Sequence, residues 1–180
     1  MTALWFSEVM SGTVAEPLTL RLTIRVDDVD TFLSEPEHLA RIEGSVDAAS
    51  LGGRRPIERG WFNLFVPGDT SDRREMRYRM WLTDSANRPR TIVGVKDVHH
   101  GTAARLWIDT STLHTRVLAG HVPPGEDAPE QSSGTLRIQP VELAAMLASF
   151  RTEGPDGVAA LARFGTFFLG ELWDLYQPSN

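Results

Sequence analysis

The chain has 180 residues and a mass of 20.0 kDa, which is the usual size of one domain with its own hydrophobic core. Lys and Arg number 18 and Asp and Glu number 24, so the net charge is −6 and argues against nucleic-acid binding through phosphates. Cysteine is absent, which excludes disulfides, thiolate metal sites and cysteine nucleophiles. The sequence shows no signal peptide and no apolar run long enough to span a membrane, so we expect a cytoplasmic protein.

Alternating hydrophobic and polar residues predict strands through the first two-thirds of the chain. In residues 18–26, Leu, Ile and Val alternate with Thr and Arg. An acidic cluster at residues 27–30 follows, and it predicts a turn into a short helix over 29–33 with an N-cap aspartate. Further strands are predicted over 41–51, 57–66, 75–83, 90–99, 106–109, 113–118 and 134–139, with an exposed loop over 122–133.

The hydrophobic period changes after residue 139, where Pro140 suits the first turn of a helix. Apolar residues then recur every three or four positions, which predicts one helix over 141–150 and a longer one after Gly154-Pro155. About nine strands followed by two helices predict a mainly β fold, an antiparallel β-barrel that is lipocalin-like in outline. We therefore expect a single domain over 1–180, with the barrel over 1–139 and the helices over 140–177.

Large apolar side chains occupy many of the predicted strand positions, and this pattern is typical of a barrel that holds one small ligand. The candidate ligand-binding residues are Trp61, Phe62, Phe65, Met80, Trp81 and Trp107. They predict a hydrophobic pocket for a lipid-like or polycyclic molecule. The alternative at each position is that the side chain simply fills the core.

Asp97 and His99 lie two residues apart on a predicted strand, so their side chains share one face. A carboxylate beside an imidazole can orient the ring and raise its basicity, as a general base requires. We take Asp97, His99 and Tyr78 as candidate catalytic residues; the alternative for the Asp97–His99 pair is an exposed pair at the strand end. Lys96, the only lysine, would be a candidate for Schiff-base chemistry if it were buried.

The sequence contains none of the short motifs that bind common cofactors. There is no GxGxxG after a strand, no P-loop and no GxSxG elbow, so we expect no nicotinamide, flavin or ATP. The adjacent residues His99 and His100 point to opposite strand faces and no HExxH occurs, so we also expect no metal.

Six segments between residues 6 and 176 together resemble a known accessory domain: RVDDVDTFL, ERGWFNLFV, MRYRMWLTD, GVKDV, LWIDTSTLHTRVLAGH and FGTFFLGELWDLY. That β-rich domain occurs in actinobacterial proteins fused to GMC-type, cholesterol oxidase-like oxidoreductases and to α/β-hydrolase modules. No flavin or hydrolase module is visible in this chain. The resemblance implies a link to hydrophobic or steroid-like substrates, but it assigns no catalytic residue.

The sequence thus predicts a β-barrel that binds a hydrophobic small molecule. One interpretation is a cofactor-independent isomerase or cyclase that acts on a lipid-like, steroid or polyketide substrate in natural-product biosynthesis. The other interpretations are a non-catalytic carrier that serves a partner oxidoreductase, and a structural or oligomerisation domain. A homodimer is left open.

Overall fold

The structure is a computed structural model that describes residues 1–176. It contains ten strands, four helices and a short 3₁₀ turn over 49–51. The strands are β1 (Ala3–Val14), β2 (Glu16–Val26), β3 (Leu39–Ala48), β4 (Gly53–Pro56), β5 (Arg59–Pro67), β6 (Arg73–Thr83), β7 (Pro89–His99), β8 (Thr112–Ala119), β9 (Glu130–Arg137) and β10 (Arg151–Glu153). The helices are α1 (Val29–Ser34), α2 (Ala103–Ser111), α3 (Pro140–Ala148) and α4 (Gly157–Tyr176).

Eight of the strands form a closed antiparallel barrel. The hydrogen-bonded order is β1-β2-β3-β5-β6-β7-β8-β9, and β9 pairs back with β1 to complete the ring. β4 pairs with β3, and β10 pairs with β1 outside the ring. The predicted mainly β, antiparallel barrel with C-terminal helices is therefore confirmed.

Strand periodicity sets which side chains point into the barrel. In β6, Met76, Tyr78, Met80 and Leu82 are buried, while the residues between them face outwards. β2 shows the same alternation with its aliphatic residues inside. The predicted faces of these strands are confirmed, because a buried side fixes the register of each strand.

The first strand, β1, has no counterpart among the predicted strands. Leu4, Phe6 and Met10 point inwards from it, but Glu8 occupies the inward position between them. A carboxylate at an apolar position interrupts the alternation, so the pattern fell below what predicts a strand.

Residues 106–109, predicted as a strand, belong to the helix α2; that prediction is wrong. The Thr102 side chain accepts a hydrogen bond from the Arg105 backbone N–H at 3.4 Å and caps the helix. Leu106 and Trp107, with Thr110 and Ser111 one turn later, lie on the same side of this helix. This spacing of four residues is that of a helix face, although the apolar run was too short to show it.

The other helices agree with the sequence more closely. α1 begins after Asp28, whose carboxylate accepts from the Thr31 backbone N–H at 3.2 Å, so the predicted N-cap aspartate is confirmed. α3 begins at Pro140 as predicted, and α4 follows Gly154-Pro155. α3 packs on β1 and α2 on β7, while α4 contacts α1, α2 and β7, so three helices cover one end of the barrel.

Candidate ligand-binding cavity

A cavity of about 590 Å³ lies between the inside of the barrel and the helices α2, α3 and α4. Its barrel wall includes Phe6, Phe62, Leu64 and Met76, which are inward residues of β1, β5 and β6. Its volume falls within the range of small-molecule sites, and such sites are mostly apolar with a few polar groups.

The helices provide the opposite wall through apolar residues at helical spacing. In α4, Leu161, Phe164, Phe168 and Leu172 recur every three or four residues and line the cavity, and Gly165 lies among them. α3 adds Leu143, Met146 and Leu147. Leu147 is 61% exposed and Leu169 is 66% exposed although both line the cavity, so its outer rim is apolar and open to solvent.

The far half of the barrel is filled by side chains. Met10, Leu20, Met80 and Ile92 are fully buried there in the hydrophobic core and do not line the cavity. These packed side chains, which we call the packed floor, close one side of the cavity, and the helices α2, α3 and α4 lie on the opposite side.

Three polar side chains meet where the cavity reaches the barrel interior: Glu8 from β1, Tyr78 from β6 and Lys96 from β7. Lys96 Nζ donates to Glu8 Oε1 at 2.5 Å, and both side chains are 3% exposed. The Tyr78 hydroxyl lies 3.2 Å from each carboxylate oxygen of Glu8 and donates to it. Lys96 Nζ also lies 5.3 Å from the centre of the Tyr78 ring, within cation–π range. We call these three residues the polar cluster.

The cluster holds Tyr78 in its neutral form. Burial raises the pKa of the Tyr78 hydroxyl well above its ordinary value, and the charge of Glu8 and the hydrogen bond to it raise the pKa further. The neutral phenol is therefore a hydrogen-bond donor at the end of an apolar cavity, and its O–H is directed to Glu8. Chemically, the cluster can polarise a carbonyl group through the Lys96 ammonium.

Three of the predicted site residues line this cavity. Tyr78 belongs to the polar cluster, and the Phe62 ring meets the Tyr78 ring edge-on with their centroids 4.9 Å apart. Trp107 lines the cavity from α2 and is 39% exposed. Its position on a helix rather than a strand follows from the corrected assignment of α2.

The other predicted ligand-binding residues lie elsewhere. Trp61 lines a separate groove on the outside of the barrel, and the Trp81 indole N–H donates outside it to the Val122 carbonyl at 3.0 Å. Met80 belongs to the packed floor. Phe65 adopts φ 51° at a bulge in β5, which turns its ring towards Phe168 of α4, with centroids 5.3 Å apart. It packs behind the cavity wall.

Asp97 and His99 share one face of β7, as predicted, but that face is outside the barrel. The Asp97 carboxylate accepts hydrogen bonds from the Arg73 guanidinium, and His99 Nδ1 lies 3.6 Å from the Asp109 carboxylate. Neither residue lines the cavity, so the structure does not bring them together with Tyr78. Their catalytic role stays a prediction that the cavity does not support.

Glu8 is not among the residues predicted from the sequence, and Lys96 is predicted there only on the condition that it is buried. One signal was available: each residue occupies the inward position of a strand whose neighbouring inward residues are apolar or glycine. Charged residues are rarely buried unless they are paired, so two charges at inward positions predict a pair across the barrel interior.

The fold and the cavity define a closed antiparallel β-barrel that could bind small molecules. Comparison with models of known protein families, with curated proteins and with solved structures gave no match to this chain. Within residues 1–176, no helix is long and apolar enough to cross a membrane. Over the same residues, no group of three or more His, Asp or Glu side chains is placed to hold a metal ion.

Proposed function

We propose that the protein binds a hydrophobic small molecule in the cavity between the barrel and its three covering helices. The observation that carries the proposal is the cavity itself, about 590 Å³ enclosed by apolar side chains of three strands and three helices around one polar cluster. Burial of apolar ligand surface contributes roughly 25 cal/mol per Å², so a ligand that fills the cavity gains a large favourable free energy. The steroid-like ligand implied by the sequence resemblance is part of this proposal.

Two glycines of α4 allow a sharp test. Gly165 lines the cavity, and a Cβ built on it meets no atom within 4 Å, so a leucine there extends into the space. Gly170 lies about one and a half turns further along the same helix, also with free space, but does not line the cavity. Both substitutions replace glycine with a better helix former, so both variants should fold.

The test measures binding of diphenylhexatriene, a hydrocarbon dye that fluoresces in apolar surroundings. We expect the wild type and Gly170→Leu to bind the dye equally and Gly165→Leu to bind it at least tenfold more weakly. Equal binding by both variants, or no binding by the wild type, would refute the proposal.

A second candidate function is a cofactor-independent isomerase or cyclase, and the observation that favours it is the polar cluster at the end of the apolar cavity. A cavity that holds one conformer of a substrate beside a charged hydrogen-bond donor can accelerate rearrangement without a cofactor. The test is incubation of the protein with a small-molecule extract of its producing cells, followed by chromatography and mass spectrometry. A compound whose retention changes at unchanged mass with the wild type, but not with Tyr78→Phe, would support catalysis. A compound that is retained and recovered unaltered would support binding alone.

A further inference from the structure

Lys96 has N–H donors that the hydrogen bonds of the described residues do not use. An ammonium has three N–H donors, and Lys96 directs one of them to Glu8. The hydroxyl groups that line the cavity already donate hydrogen bonds within the protein. Tyr78 donates to Glu8. Thr110 donates to the Leu106 carbonyl, and Ser111 donates to the Trp107 carbonyl. Among the hydroxyl and charged side chains that line the cavity within residues 1–176, Lys96 therefore holds the free donor capacity.

The charge of the cluster is already balanced. Glu8 and Lys96 are the two charged side chains of the described cavity wall, and they form an ion pair. A ligand carboxylate beside them would add a second negative charge in a buried place with one cation, and a ligand ammonium would add a second positive charge. An uncompensated buried charge is strongly unfavourable, whereas a neutral acceptor oxygen adds no net charge.

These two facts together specify the polar end of the ligand. We propose that the cavity selects neutral hydrophobic molecules that carry a carbonyl group, and that Lys96 donates a hydrogen bond to the carbonyl oxygen. This inference rests on the proposed binding function. In it, Glu8 holds Lys96 in position through their ion pair, and Tyr78 holds Glu8 in place through its hydroxyl.

The selectivity can be tested with three naphthalenes of matched shape: 2-acetylnaphthalene, 2-naphthoate and 2-ethylnaphthalene. The first is a neutral ketone, the second a carboxylate and the third a hydrocarbon. Each is titrated against diphenylhexatriene bound to the wild-type protein at neutral pH. We expect the ketone to bind at least tenfold more tightly than the carboxylate. Equal or tighter binding of the carboxylate would overturn the inference.

A variant with an apolar cluster tests the role of Lys96. The triple substitution Glu8→Leu/Tyr78→Phe/Lys96→Met removes all three polar groups at once and leaves no buried charge without a partner. A hydrogen bond to a charged donor contributes about 1.5–3 kcal/mol, so the ketone should bind roughly 10- to 150-fold more weakly to this variant. 2-Ethylnaphthalene should bind at least as tightly as to the wild type. Retention of full ketone affinity by the variant would also overturn the inference.

The outcomes separate the inference from the function on which it rests. If the dye and all three naphthalenes fail to bind the wild type, the proposed binding function fails. If the dye and 2-ethylnaphthalene bind but 2-acetylnaphthalene binds no more tightly than 2-naphthoate, only the carbonyl selectivity fails. Because the comparison of ketone with carboxylate uses the wild type alone, equal or tighter binding of the carboxylate overturns the inference even if the triple variant does not fold.

Discussion

Glu8 Oε1 and Lys96 Nζ lie 2.5 Å apart inside the barrel, although the two residues are 88 positions apart in the chain, and 3% of each side chain is exposed. The pair joins β1 to β7, which are not neighbours in the sheet. Its contribution to stability depends on both partners being present, because a single buried charge is far more costly than a buried pair.

We expect Lys96→Met to reduce the free energy of unfolding by about 3–5 kcal/mol, because Glu8 is left buried without its cation. The triple variant Glu8→Leu/Tyr78→Phe/Lys96→Met should lose much less free energy of unfolding, because none of the three buried polar groups is left without its partner. Urea-induced unfolding of the wild type and both variants measures this. A triple variant less stable than Lys96→Met would contradict the expectation.

The neutral state of Tyr78 predicts a specific alkaline response. Its pKa is raised in the folded protein, mainly by burial, so the native state keeps a proton that the unfolded chain releases above about pH 10. Stability should therefore decrease as pH rises beyond that point, by up to about 1.4 kcal/mol per pH unit from this residue. Below about pH 10 the residue adds no pH dependence.

Tyr78→Phe is the matched variant for this effect. Its stability should depend less steeply on alkaline pH than that of the wild type, as measured by chemical unfolding at a series of pH values. In the native state, the tyrosinate absorbance of the two proteins should rise together until the wild type unfolds. An earlier rise in the wild type alone would show that Tyr78 ionises while folded.

The turn between β6 and β7 predicts a response at acid pH. The Asp84 carboxylate accepts from the backbone N–H groups of Ala86 and Arg88 at 2.9 and 3.0 Å and from the Arg88 guanidinium. The Arg88 backbone N–H is the main cause of the lowered pKa of Asp84. This contribution to stability is present above the ordinary aspartate pKa and is lost as pH falls through the lowered value.

Asp84→Asn should lower the melting temperature at neutral pH and flatten its decrease at acid pH. Asp69 is the control, because it is 88% exposed and has a single ion pair, at 3.4 Å, with Arg73. Asp69→Asn should leave the melting curve nearly unchanged. Thermal unfolding of both variants from neutral to acid pH checks this, and equal behaviour of the two would exclude a special role for Asp84.

The pairing of β1 with β9, which closes the barrel and which we call the seam, depends on a glycine. Gly134 in β9 faces β1 so closely that a Cβ built on it would lie 2.0 Å from the Thr13 carbonyl oxygen. Gly134→Ala should therefore force the strands apart and destabilise the protein by about 1–3 kcal/mol. Gly170→Ala, on the open side of α4, should stabilise it by up to about 1 kcal/mol. Thermal unfolding compares them; a Gly134→Ala variant as stable as the wild type would contradict the seam geometry.

The sequence predicted the barrel because inward positions such as Leu20, Leu22 and Ile24 alternate without interruption. The prediction of β1 and of α2 failed. In β1, Glu8 interrupts the alternation of apolar and polar residues, and the run 106–109 is too short to distinguish a helix face from a strand. The barrel could be predicted from its regular strands, whereas β1 and α2, which lack a long regular period, could not.

The candidate site was less predictable than the fold, because it is assembled from distant parts of the chain. Trp81 and Tyr78 are equally attractive by residue type, yet alternation in β6 sends them to opposite sides of the sheet. Strand positions alone also offered no indication that α2, α3 and α4 line half of the cavity. Which face is inside, and which helix covers which end, follows from tertiary packing.

The pairing of β1 with β9 has a consequence for synthesis on the ribosome. β1 is made before every other strand of the barrel, whereas its closing partner β9 begins at Glu130. Until β9 emerges, one edge of β1 offers unpaired N–H and carbonyl groups, which are a template for pairing with other chains. The barrel strands therefore form an open sheet until β9 is made, and their exposure to aggregation ends only when this last barrel strand is complete.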